Sequence, residues 1–167
     1  AQQICVREAA VRMTRLLNIP ILGTPEYFLA LDEQYYGDHA AFFETSLMMH
    51  LFPDSVDLSR LGDAPHQGVG GRDPKIHATA EDGERLSEAI IRRLAALART
   101  MHAWDRHRME GFLAAEAALV NRQMAMAGET GNLWAAWRHI GDGVMDGYPA
   151  ALAQCRFEDI IAAVARL

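Results

Sequence analysis

A short apolar run, Ile19-Pro20-Ile21-Leu22-Gly23, follows directly on a stretch of helical periodicity, and this succession constrains the fold more than any other feature of the chain. In the preceding stretch Ile4, Val6, Ala10, Val11, Met13, Leu16 and Leu17 recur at helical spacing between Arg7, Glu8, Arg12 and Arg15. Asn18 is a suitable helix stop. A helix feeding a short buried strand is the rhythm of an α/β chain with a mostly parallel sheet, and that is the expected fold class. In such folds the loops after strands bind ligands, which draws attention to the tyrosine-bearing stretch Leu31 to Gly37.

The remaining pattern is largely helical. The spacing predicts a helix from His39 to Phe52, capped by Asp38 and closed by Pro53. Val56-Asp57-Leu58 reads as a further short extended segment, and Gly62 to Pro74 as an irregular loop. A long amphipathic helix is expected from about Glu81 to Trp104, with Leu86, Ile90, Leu94, Leu97 and Met101 as its buried stripe. Residues 106–167 read as a helical extension of a first unit, residues 1–105. In that extension Phe112 to Ala127, Leu133 to Ile140, Ala150 to Cys155 and Phe157 to Leu167 are helical. Trp134 and Trp137, three apart, suit a core or subunit contact.

Sixteen basic residues against twenty-two acidic give a net charge of -6. That balance argues against non-specific nucleic-acid binding, which needs clustered positive charge. No apolar run approaches bilayer length, so no membrane span is expected. Cys5 and Cys155 lie far apart and form neither a metal-type pair nor a disulfide framework, which fits a reducing cytoplasm. The first residue is Ala1 and helical periodicity starts at once, so the expectation is that these residues are the later part of a longer polypeptide.

The chemistry-bearing stretch is Gly37 to Met49. At helical spacing Glu44 shares a face with Ala40, Leu47 and Leu51, which sets a carboxylate within an apolar stripe. Such a carboxylate is satisfied by an arginine or backbone donors, or it binds a metal. His39 beside Asp38 is either a general acid or base with its tautomer fixed by the carboxylate, or a first-turn helix residue behind its cap. Tyr35 and Tyr36 line a substrate pocket or anchor packing. Gly68-Val69-Gly70-Gly71 lacks the features of a nucleotide loop and reads as a turn that needs positive φ. His66, His77, His102, His107 and His139 form no ligand pairs at helical spacing.

Asp38-His39-Ala40-Ala41-Phe42-Phe43-Glu44-Thr45-Ser46-Leu47-Met48, followed by Pro53 and Val56-Asp57, resembles the creatininase (creatinine amidohydrolase) family. A second family-like signature follows: Gly68-Val69-Gly70-Gly71-Arg72-Asp73-Pro74, then Ala78-Thr79-Ala80-Glu81-Asp82-Gly83. The resemblance runs from Ala1 to about Trp104 and implies the later part of the family's three-layer α/β sandwich. It implies a hydrolase dependent on divalent metal (zinc, manganese or iron, two ions in the complete enzyme) that acts on a cyclic amide or a cyclic ketone. Carried over by position, Glu44 is a candidate metal ligand, and His39 with Asp38 the catalytic pair.

The departures bear on the activity. The family's Glu-x-His pair and its histidine loop have no counterpart between Ala1 and the first motif, and Ala41 stands where a glycine is common. The alternative expectation is therefore a non-catalytic or interaction piece. An open Leu31–Gly37 loop and a long acidic tail incline the substrate toward a sugar-like or inositol-derived ring, as in the dehydro-scyllo-inosose hydrolase branch. The expected partners are a small-molecule substrate and further copies of the chain, with neither nucleic acid nor membrane.

Overall fold

The computed structural model describes residues 2–131 and 142–167. The expected helix from Leu133 to Ile140, with Trp134, Trp137 and His139, lies outside the described residues.

The first helix, α1 (Gln2–Leu17), buries Ile4, Arg7, Ala10, Val11 and Thr14 on one face. Two 3-10 turns, Glu26–Leu29 and Leu31–Glu33, carry the run Tyr27 to Leu31 into the core. After them come α2 (Phe42–Leu51), α3 (Pro74–His77), α4 (Ala80–Met101) and α5 (Arg106–Thr130). The chain closes with α6 (Tyr148–Ala153) and α7 (Phe157–Val164). Helix α2 packs along α4, and α5 packs against both α1 and α7. One hydrophobic core runs from Phe28 and Leu31 through Leu86 and Leu97 to Leu119, Tyr148 and Ile160.

The expectation of an α/β sandwich with a parallel sheet is overturned. The described residues are mostly helical and contain no sheet; their extended pairing is a single antiparallel bridge between His39 and Gly70. The run Ile19–Gly23 is extended but has no strand beside it. Its Ile21 N–H donates to Thr14 Oγ1 (3.0 Å) on α1, and Pro20 has no N–H to offer a ladder. Val56 and Asp57 are extended, as expected, but pair with no strand and lead into a 3-10 turn, Leu58–Arg60, in which Asp57 accepts the Ser59 N–H at 3.0 Å. An apolar run of this length fits a strand only where the rest of the chain supplies a neighbour.

The helical expectations fare better, with shifted ends. Thr79 caps α4 through the Asp82 N–H (3.1 Å), and Asp105 caps α5 through the Arg108 N–H (2.9 Å). Gly131 ends α5 in the left-handed region at φ 62. Within α4 the predicted stripe holds for Leu86, Leu97 and Met101, whereas Leu94 turns outward.

The crossing of α2 and α4 depends on Gly83. A Cβ built there would lie 1.9 Å from the Ser46 carbonyl oxygen and 2.9 Å from His50 Cβ. Glycine to alanine inside a helix ordinarily gains about 0.5–1 kcal/mol. Here the obstacle is backbone, and overpacking at about 1–3 kcal/mol outweighs that gain. Gly83→Ala is therefore expected to lower the urea midpoint; a raised midpoint would show that the two helices can part without cost.

Candidate functional site

The two sequence signatures meet at the N-terminus of α2. Asp38 sits just before this helix, and its carboxylate accepts the N–H groups of Phe43 (2.7 Å) and Glu44 (3.1 Å). It thus caps the helix from outside, while the N-cap position itself is Ala41. The helix starts at Phe42 rather than His39 because Ala40 adopts φ 49, a left-handed turn between the bridge and the first helical residue. Burial pushes the Asp38 carboxyl up from its ordinary value; the two N–H groups oppose this and neighbouring Glu44 adds to it.

Glu44 faces solvent rather than the apolar stripe. One of its oxygens accepts the Ala40 N–H at 2.8 Å, a reciprocal cap across the same turn. The positions buried on α2 are Phe42 and Ser46. Periodicity misplaced the carboxylate because first-turn acidic side chains reach back to free N–H groups whatever face the helix buries.

His39 is held through its backbone. Its N–H donates to the Gly70 carbonyl (3.0 Å), and the Gly70 N–H donates to the His39 carbonyl (2.8 Å). The imidazole is exposed. Next along the chain, the Phe42 N–H donates to the Arg72 carbonyl at 3.1 Å, and the Arg72 guanidinium stands 3.9 Å over the Phe42 ring. The second segment is tied down on its own account. His66 Nε2 meets Asp73 Oδ1 at 3.2 Å, Asp73 accepts the Lys75 N–H at 2.9 Å, and Gly68 takes φ 84. Gly71 lies so close that a Cβ there would stand 2.7 Å from Ala41 Cβ and 2.9 Å from Asp38 Cβ.

Three positions quoted in the sequence motifs have structural roles in contacts that the sequence reading did not supply. Ser46 is fully buried, donates to the Phe42 carbonyl (2.6 Å) and accepts the Thr79 N–H (3.2 Å), so the Glu-Thr-Ser motif joins α2 to the start of α4. Gly83 and Gly71 permit the close approaches described above. Their signal was present in the motifs, but only the packing gives it a cause.

The tyrosines are placed differently from the acidic corner. Tyr35 is fully buried, its ring 4.8 Å from that of Phe43, with its hydroxyl donating to Glu26 Oε1 at 3.1 Å. Burial first, then Glu26, pushes its phenol well up, so it stays protonated. Tyr36 is half-buried and donates to Asp146 Oδ2 at 3.4 Å, in the C-terminal part of the chain. The Leu31–Gly37 loop is closed rather than open. Arg93 binds Asp32 through two nitrogens (2.6 and 2.9 Å), Arg85 reaches Glu33 at 3.0 Å, and Leu31 is fully buried.

The structure thus brings Asp38, His39 and Glu44 together on one turn and packs the Gly-rich loop against them. A family model described as creatininase (creatinine amidohydrolase) matches residues 4–98, which includes both segments. The chain belongs to the creatininase family. No similar curated protein and no similar solved structure was found. As a creatininase-type chain it carries a hydrolase assignment at family level. Its helices provide no segment long and apolar enough to cross a membrane, among the described residues.

Creatininase-family enzymes are generally metal-dependent, so the donor set here has to be set against that requirement. Among the described residues no group of three or more His, Cys, Asp or Glu side chains could hold a metal ion. Both Asp38 oxygens are taken up by helix N–H groups, and Glu44 spends one on Ala40. These residues as they stand do not make a metal site.

Proposed function

We propose that this creatininase-type chain contributes His39 to a hydrolytic site acting on a cyclic amide. The observation that carries the reading is an exposed imidazole whose main chain is fixed by the bridge joining the two signature segments. In hydrolysis, water oxygen bonds to the carbonyl carbon and the carbon–nitrogen bond breaks. His39 as imidazolium gives its proton to the departing nitrogen and is restored by the proton that the water loses. Asp38 acts by position, holding the turn on which His39 sits. A ring-opening of an inositol-derived cyclic ketone needs the same proton, delivered to carbon; with the Leu31–Gly37 loop closed, one of the two features that inclined the substrate toward a sugar-like ring no longer supports it.

The test is hydrolysis of creatinine, simple lactams and cyclic diketones by the purified protein, with and without added zinc, manganese or iron, beside His39→Ala. Turnover in the first and its loss in the second support the reading. Turnover of none of these rings leaves the non-catalytic reading in place, and activity that survives the substitution removes His39 from the chemistry. Glu44 retains one carboxylate oxygen with no hydrogen bond to a described residue, and a glutamine there keeps an acceptor for Ala40. Metal analysis of Glu44→Gln is expected to show unchanged bound metal at an unchanged melting temperature, as for a helix cap alone. A loss of bound metal would make Glu44 a ligand.

A further inference from the structure

A hollow of about 620 Å³ opens where the end of α1, the Ile19–Pro20 run and the corner between α4 and α5 meet. That volume is in the range of small-molecule sites. The hollow lies between the family-matched residues 4–98 and the C-terminal part, since Arg15 and Pro20 come from the first and Trp104, Met109 and Leu113 from the second. Contacts that involve no ligand set its walls. Asn18 takes φ 56 and turns the chain at the end of α1, while Thr14 Oγ1 holds the Ile21 N–H. The Trp104 ring packs against those of Phe112 and Phe157, with centroids 5.4 and 5.6 Å away, and Asp105 caps α5 through the Arg108 N–H. A site framed in advance spares a ligand the cost of ordering it.

The charge in the hollow is the reverse of the molecule's. The chain carries -6, whereas the arginines and carboxylates that line the hollow are Arg15 and Arg106 against Glu110. Glu110 accepts the Arg106 Nε–H at 2.8 Å, which leaves the two terminal nitrogens of Arg106 without a partner among the described residues. Arg15 forms neither an ion pair nor a hydrogen bond with a described residue. The helix macrodipole accounts for Arg15 in the last turn of α1, but it disfavours Arg106 at the first position of α5. We propose that this hollow binds a small organic anion, a carboxylate on an apolar body. Arg15 and Arg106 hold the carboxylate, which a guanidinium takes through two parallel N–H donors. The apolar body lies against Trp104, Met109 and Leu113. A bare inorganic anion leaves that apolar wall in water, and a neutral molecule leaves the guanidinium groups unanswered. The site stands independently of the hydrolytic reading, since none of its residues belongs to the Asp38–His39–Glu44 turn.

Isothermal titration of the full chain with naphthoate is expected to show a single site with a dissociation constant below about 1 mM. Naphthalenemethanol keeps the rings without the charge, and sulfate keeps the charge without the rings; each should bind more weakly by about tenfold or more. Arg15 is exposed, so Arg15→Gln keeps the fold and should weaken naphthoate by about tenfold. Leu113→Trp fills the hollow and should abolish binding. Circular dichroism on both variants confirms that helix content is kept, and Arg15→Gln decides the matter where Leu113→Trp does not fold. No heat of binding with naphthoate, equal affinity for the neutral alcohol or for sulfate, or a folded variant that binds as the original does would each overturn the proposal.

Discussion

Alanine at position 39 is expected to lower kcat/KM for ring hydrolysis by about 10²–10⁴-fold, the range for losing a positioned proton donor. The same change should leave stability within about 0.5 kcal/mol, as for an exposed side chain away from any structural role. Both bridge hydrogen bonds to Gly70 belong to the His39 backbone, so alanine keeps them. Asp38→Ala separates position from chemistry. It removes the acceptor for the Phe43 and Glu44 N–H groups, a loss of about 0.5–2 kcal/mol for a helix cap. Activity should then fall together with the melting temperature. Kinetics and thermal melts on the two variants side by side distinguish the roles: His39 changes rate alone, Asp38 changes both. Equal loss of stability in the two would return His39 to a structural part of the turn.

The family signatures were legible because their residues are contiguous. Asp38 to Ser46 and Gly68 to Pro74 carry their identity locally, and their meeting needs only one bridge, His39 to Gly70. The helices were legible because their period is local, while the caps at Thr79 and Asp105 that set their starts went unread. The sheet was not, since a strand is completed by a neighbour elsewhere. Ile19–Gly23 has the composition of a buried strand but turns to Thr14 on its own preceding helix. Glu44 was misplaced for a related reason. Its face is set by the free N–H of Ala40 and by Ser46, whose burial follows from contact with Thr79, thirty-three residues on. Leu94 fits the α4 stripe by period, yet the buried arc is narrower than the pattern suggests and leaves it outside.

The most deeply buried charged pair among the described residues fastens the family-matched residues to the C-terminal part, and breaking it should have the largest effect on stability. Arg7, on α1, is 1 % exposed and pairs with Glu116 on α5, itself 2 % exposed. The second guanidinium nitrogen donates to Thr24 Oγ1 at 2.7 Å, and the group lies 4.6 Å from the centre of the Phe28 ring. Tyr148 on α6 donates to the other Glu116 oxygen at 2.8 Å. Burial opposes the charge on Arg7, but Glu116 and Tyr148 more than reverse this, and its pKa ends above the ordinary value. Arg7→Ala strands a buried carboxylate and Glu116→Ala strands a buried guanidinium; each is expected to cost about 3–5 kcal/mol. Removing both charges is a different experiment. Arg7→Met with Glu116→Leu and Tyr148→Phe replaces the group by apolar side chains and leaves only the half-buried Thr24 hydroxyl without its donor, so it should lose less than either single alanine variant. Urea unfolding of the three proteins, with midpoint and slope both measured, decides the point. A single substitution that costs under about 1 kcal/mol would mean that water reaches the pair and that it behaves as a surface ion pair.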